Sequence, residues 1–449
     1  MQLRTEKATP GGFAMSEKIE FIELRFTDLV GRMKAMVVPC KPAETIEEVA
    51  KDPALKSGTS CDGSSVTGLA KVESSDLRLE PDMTTLIELP IVTRRTAAVM
   101  CYISEKFVDD KSAGYFSLDT RGRLHRISED LLPGKMYLKI KVEPEFHFIT
   151  PDGEPFDDAD YADTYPQSPG MDMLLELAAT LRTVGIKPRV IHHEVGESQQ
   201  EIELDFENAT KMADNILLFK NLARTISRNQ GLDVAFMPKP FEDVAGNGLH
   251  CHLQLWDGDR NLFGVDGGSE LSDTAKMFVA GLLEHAPAIT AIANPSVNSY
   301  KRLVPHHEAP VYITWGMKNR TALIRVPLFG SGEKAAIELR SADSMANPYL
   351  LFTAIIAAGM DGVNRELKPP DPRSEDIFHL SKEERNKLGI KMLPATLEDA
   401  LDSLEADSVI CEAVGKDILE NFVKLKRAEW REYTSQIVTD WEWEKYEDN

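Results

Sequence analysis

The chain has 449 residues, 42% of them hydrophobic and 28% charged. These are ordinary proportions for a globular protein, and the length is enough for two domains. The formal charge of −22 argues against a phosphate-tracking Lys/Arg surface, so neither nucleic acid nor an anionic membrane is an expected partner. No run of the chain approaches the roughly 18 apolar residues of a membrane span.

Met1 to Gly12 is polar and lacks the apolar segment of a signal peptide. Met15 directly precedes the first strand-like run, so residues 1–14 read as a disordered tail or an upstream start. From there to about residue 40, apolar and polar residues alternate on either side of Asp28 and Gly31, which predicts a hairpin. A short helix is expected near Glu44–Lys51, and a second strand pair at about 84–104. The polar segment Asp109–Gly114 closes this first unit.

From about Ser117 strands alternate with long amphipathic helices. Met212, Ile216, Phe219, Ala223 and Ile226 share one face of a helix expected from Asn208 to Asn229, with Asn208 as its cap and Gly231 as its stop. Pro348 opens another, Tyr349–Glu366, which Pro369 and Pro370 end. The last 50 or so residues read as helices, with Trp430, Tyr433 and Trp441 as core or subunit contacts. The five cysteines, Cys40, Cys61, Cys101, Cys251 and Cys411, show no paired spacing. That suits a reducing cytoplasm.

Residues two apart in a strand share a face. Glu143 and Glu145 in KIKVEPEFHF therefore point together, as do His250 and His252 in GLHCHLQLW and Glu338 and Arg340 in AIELR. Glu194 and Glu201 flank a tight turn. Any one pair fits an exposed strand face or a satisfied core histidine. Converging, carboxylates with imidazole suit Mg²⁺ or Mn²⁺, and no cysteine spacing suggests thiolate zinc. Arg302, Arg320 and Arg325 lie in nearby segments and suit planar recognition of phosphate or carboxylate.

Together these segments resemble glutamine synthetases of the prokaryotic type I family, in order from about Ile19 to the C-terminus. The anchors are CDGSSVTG (61–68), EPEF (143–146), HHEV…QQEI (192–202), MPKP (237–240), GLHCH (248–252), NSYKRLVP (298–305), NRTALIRVP (319–327) and IELRSAD…ANPYL (337–350). The resemblance implies an α+β fold. A β-grasp-like domain over 15–116 would precede a larger catalytic domain over 117–449, with an antiparallel sheet and flanking helices. It implies a dodecamer of two stacked hexameric rings, each active site lying between neighbours and borrowing the Asp62 loop of the adjacent protomer.

It also implies residue roles. Glu145, Glu194 and Glu201 would hold one Mg²⁺ or Mn²⁺ ion, and Glu143, His250 and Glu338 a second. Arg320 and Arg325 would stabilise phosphoryl transfer from ATP. Arg302, Arg340 and the Gly246 backbone would grip glutamate, while His252, Gln254 and Arg325 would meet the nucleotide. Asp62, Ser65, Tyr161 and Glu308 would form the ammonium pocket. The implied reaction joins glutamate and ammonia through a γ-glutamyl phosphate.

Several positions depart from the family pattern. Ala245 replaces an asparagine of the glutamate cradle, Gly196–Glu197–Ser198 a small-Pro-Gly turn, and His306–His307 a Gly-Tyr pair. Arg189, Gln254 and Ala336 alter the nucleotide positions. These departures leave open a γ-glutamyl ligase for another amine or acceptor carboxylate, or a non-catalytic paralogue. Phe378 in place of a modifiable tyrosine implies no adenylylation, and Lys71 in place of an arginine implies altered glutamine feedback.

Overall fold

The computed structural model describes residues 17–69, 75–90, 94–104, 115–265, 271–305, 309–327 and 332–447. The expected tail 1–14, the boundary segment 109–114, Lys71, His306, His307 and Glu308 lie outside the described residues.

The first unit is a mixed sheet built on the predicted hairpin, β1 (Ile19–Thr27) and β2 (Met33–Ala43). Asp28 closes the turn by accepting from the Arg32 N–H at 2.8 Å. Gly31 has φ +78°, and a Cβ there would lie 2.7 Å from Cα of Asn347, so the turn needs glycine on both counts. Three strands follow: β3 (Thr59–Asp62), β4 (Asp76–Pro81) and the short β5 (Ile87–Glu88). With β6 (Thr96–Ser104) they give the order β2-β1-β6-β4-β3, β5 pairing with β6. The β1–β6 pair is parallel.

The helix expected at 44–51 is shortened to Ile46–Val49, and a second, unpredicted one follows at Pro53–Ser57. Pro53 drives Asp52 out of the helical region, and Asp52 then caps the second piece. β3 and β4 went unread because each offers at most two apolar residues to an alternating pattern.

The second sheet comprises β7 (Met136–Ile149), β8 (Pro188–His193), β9 (Gln199–Asn208), β10 (Asp233–Ala235), β11 (Leu249–Asp257), β12 (Arg260–Asn261), β13 (Trp315–Met317), β14 (Ile324–Val326) and β15 (Ile337–Leu339). Its order is β13-β14-β15-β11-β7-β9-β8, antiparallel except for β13 with β14. One face is apolar: Ile140, Val142, Ile202, Leu204, Cys251, Leu253 and Ile337 are each fully buried. Helices Met171–Thr183 and Ala209–Asn229 pack against β7, β8 and β9. The alternation leaves the other face to the ionisable residues.

Helix Ala209–Asn229 buries all its expected face residues, and Asn208 Oδ1 accepts from the Lys211 N–H at 3.0 Å. Helix Pro348–Asn364 ends two residues before the predicted Glu366, which instead adopts φ +51°. The C-terminal region is helical as expected, and Trp430 packs against the core. Trp441 is not a core residue of this chain: it is 59% exposed, on a terminal helix that buries nothing.

Two sets of contacts tie the first unit to the helices of the second. Asn347 donates to Leu29 O at 3.1 Å and to Thr120 Oγ1 at 3.2 Å. Arg121 reaches Asp82 and Asp214, both at 2.8 Å. Among the described residues no helix is long and apolar enough to cross a membrane, and the cysteines are free.

Candidate active site

Strand register assembles the polar face of the second sheet. His250 lies opposite Glu143, His252 opposite both Lys141 and Glu338, Arg325 opposite Glu338, and Glu145 opposite Glu201, which also faces His192. Residues as far apart in the chain as Lys141 and His252 thus become neighbours because their strands pair.

Three groups of ligand atoms are close enough to share an ion: Glu143–His252–Glu338, Glu143–Glu201–His250 and His192–Glu194–Glu201. His250 Nδ1 lies 3.4 Å from Glu143 Oε2 and 3.8 Å from Glu338 Oε1, while its Nε2 lies 3.6 Å from Glu145 Oε1. His192 Nε2 is 2.9 Å from Glu194 Oε1. Every residue of the two sets implied by the resemblance is on this face, but the grouping differs. His252, expected at the nucleotide, sits with Glu143 and Glu338, and His192 joins Glu194 and Glu201. Glu145 falls in none of the three groups, and its Oε2 accepts from the Gly248 N–H at 2.7 Å and Gln199 Nε2 at 3.2 Å.

The charges are unevenly matched. Burial raises Glu201 well above the ordinary carboxyl range, and Glu143, Glu145, Glu194 and Glu203 add to the rise. Burial acts the same way on Glu143, but His252, His250 and Lys141 more than offset it and hold that carboxyl well below its ordinary value. Glu338 is lowered too: burial is outweighed by His252, Arg340, His250 and Arg325. Buried carboxylates with too few cations at one end are a site whose charge a divalent ion would balance, and oxygen and imidazole donors suit a hard cation. Cys251 cannot contribute, since it faces the apolar side.

The cluster borders two cavities. One, of about 720 Å³, is lined by Glu145, Glu194 and His250 together with Tyr161, Gly246, Arg302, Arg320 and Arg340. The other, of about 560 Å³, is lined by Glu143 and His252 with Gln254 and Arg325. The residues expected to bind amino acid and those expected to bind nucleotide therefore line different cavities. Gly246 allows a close approach: a Cβ there would come within 2.4 Å of Pro238 O. Arg302 donates to Ser341 O at 2.7 Å, and Arg340 to Glu338 Oε1 at 3.1 Å. The Tyr161 ring meets His192 edge-on at 5.3 Å.

Asp62 and Ser65 do not line either cavity of their own chain. Asp62 is exposed, and hydrogen bonds from Ser64 and Ser65 lower its carboxyl to about 2. A larger cavity of about 970 Å³ lies between the first sheet and helices Thr120–Leu131 and Ala209–Asn229, lined by none of the expected site residues.

Sequence reasoning missed His192, Lys141, Glu203 and Gln199 as members of the site. The same two-residue spacing could have found the first three, since they lie two positions from Glu194, Glu143 and Glu201. Gln199, also two positions from Glu201, follows the same spacing.

A carboxylate–imidazole cluster bordering two cavities fits a metal-dependent enzyme that brings two substrates together. The comparisons make the class specific. The family described as glutamine synthetase, beta-Grasp domain, matches residues 18–106, and glutamine synthetase, catalytic domain, matches 118–446. The glutamine synthetase of Methanocaldococcus jannaschii is 39% identical over 460 residues, covering 99% of this chain and 98% of that protein. That of Pyrococcus abyssi is 41% identical, covering 95% and 96%. The solved GmaS/ADP complex in its conformation 1 superposes with TM-score 0.84 at 33% identity, covering 96% and 98%. Plasmodium falciparum glutamine synthetase shares the fold, with TM-score 0.81 at 23% identity over 95% and 96% of the two chains. This chain belongs to the glutamine synthetase family.

Proposed function

We infer that the chain is an ATP-dependent glutamate–ammonia ligase. The observation that carries this reading is the cluster bordering two cavities, with amino-acid-gripping arginines lining one and nucleotide candidates the other. We take 15–116 and 117–449 as its domains. Glu145, Glu194 and Glu201 would hold one Mg²⁺ or Mn²⁺ ion and Glu143, His250 and Glu338 another, with His192 and His252 beside them. Bound there, the ions would supply charge neutralisation for the phosphate and carboxylate oxygens.

Arg302 and Arg340 orient glutamate, with Gly246 contributing backbone. An oxygen of the γ-carboxylate attacks the γ-phosphorus of ATP, the bond to the β-phosphate oxygen breaks, and ADP leaves. Arg320 and Arg325 match the charge that spreads over the transferring group. His252 and Gln254 hold the nucleotide. Ammonium gives a proton to a carboxylate, Asp62 or Glu308, and the resulting ammonia displaces phosphate from the acyl carbon. Tyr161 and Ser65 complete the ammonium pocket. Since Asp62 and Ser65 lie away from their own chain's cavities, a second copy would supply them, which fits a dodecamer of two hexameric rings. A reducing cytoplasm fits the free cysteines.

Phosphate release that requires ATP, Mg²⁺, glutamate and ammonium together, with glutamine as product, tests the reading. Release without ammonium dependence counts against it. One observation favours a second reading: Ala245 lines the amino-acid cavity without an amide to hold substrate. Products found by mass spectrometry only with larger amines would select a γ-glutamyl ligase for another amine.

A further inference from the structure

We propose that Lys141 is a tethered cation that competes with a divalent ion for Glu143 and weakens that end of the cluster for metal. The proposal rests on the metal-dependent reading above. Lys141 Nζ donates to Glu143 Oε1 at 2.7 Å and lies 3.0 Å from Glu203 Oε2, and its side chain is 7% exposed. His252 Nε2 lies 2.7 Å from the same Glu143 oxygen. A cation approaching Glu143 therefore finds an ammonium already on one of its two oxygens. The Glu201 end is different: among the described residues, the ion-pair partner of Glu194 and Glu201 is His192 alone.

Opposite charges in contact in a poorly hydrated site attract by several kcal/mol even with strong protein screening. An ion at Glu143 must displace that contact, whereas one at the Glu201 end displaces no fixed positive charge. The Glu201 end should fill first and more tightly. Lys141 and Glu143 both line the cavity assigned to the nucleotide. A polyphosphate there offers Lys141 replacement oxygens, so the second ion should bind far better once nucleotide is present. Glu203 keeps hold of the ammonium in either state, which makes the exchange a short movement.

The test is calorimetric titration of Mn²⁺ into the full chain without nucleotide, for wild type, K141M and K141R. Wild type should show a tight and a weak class. K141M should tighten the weak class by about tenfold or more, while K141R leaves it weak. ADP should tighten the weak class of wild type and have little further effect on K141M. An unchanged weak class in K141M, or K141R behaving like K141M, overturns the proposal. No Mn²⁺ uptake by wild type overturns the metal-dependent reading and this proposal with it, a failure distinct from normal uptake that ignores Lys141. If K141M does not fold because Glu203 keeps only Arg189, at 3.9 Å, K141M/E203Q carries the same expectation.

Discussion

Gln199 Nε2 donates to Glu145 Oε2 at 3.2 Å and to Gly246 O at 3.0 Å, while its Oε1 accepts from the Gly196 N–H at 3.0 Å. One fully buried amide thereby ties a candidate metal carboxylate to the glycine segment 246–248 and to the turn between Glu194 and Glu201. Asn247, itself held by Met237 O at 2.8 Å, accepts from the same nitrogen at 3.2 Å.

Removing that amide leaves several buried partners unsatisfied. Q199L should cost about 1–3 kcal/mol in denaturant unfolding. It should also raise the KM for glutamate more than it lowers kcat, because the residue positions the site without touching the reacting atoms. Wild-type stability with an unchanged KM would show that the tie is dispensable.

Glu201 yields a pH prediction. Its folded carboxyl is raised above the ordinary 4.5, first by burial and then by its acidic neighbours. An acid raised in this way contributes stability at pH below its unfolded value and loses it as pH climbs through the folded one. The metal-free protein should therefore lose stability over that climb. Mg²⁺ needs the ionised form, so the stabilisation it confers should grow across the same range. At roughly a hundredfold excess over Kd it should reach about 2–3 kcal/mol. E201Q should flatten both trends; a pH–Tm series with and without Mg²⁺ decides.

Arg121 joins the first unit to helix Ala209–Asn229. Its guanidinium is 3% exposed and bonds to Asp214 at 2.8 and 3.0 Å, and Tyr349 donates to the same Asp214 at 2.6 Å. R121M strands a buried carboxylate and should cost about 3–5 kcal/mol in chemical unfolding. R121M/D214N should recover part of that loss, and a double variant as unstable as the single one would contradict the pairing.

His285 sits between Asp407, 2.6 Å from Nδ1, and Asp361, 3.0 Å from Nε2. Burial disfavours its charged form, but the two carboxylates outweigh burial and raise its pKa. The stability it adds is complete below the unfolded value, near 6.5, and disappears as pH rises through the folded value. Wild type should lose about 1.5–3 kcal/mol relative to its acidic-side stability over that rise. H285N should not, as paired melts from pH 5.5 to 9 would show.

Much of the polar face could be read from strand spacing alone, because the period of two is local: Glu143 with Glu145 and His250 with His252 share a side wherever their strands lie. The caps were legible for the same reason, since Asn208 and Pro348 act on their own first turns. Trp441, read as a core or subunit contact, is outside this chain's core, because a lone aromatic does not say which surface covers it.

Residue order thus specified the ligand types, the face each occupies and the helices behind them. Which ligands meet depended on pairing between strands far apart in the chain. β11 lies between β7 and β15, so His252 came to rest beside Glu143, Lys141 and Glu338. The division of the site residues between two cavities, the role of Gln199 and the distance of Asp62 from its own chain's site are likewise consequences of packing. Their physical cause is long-range register, which no local periodicity encodes.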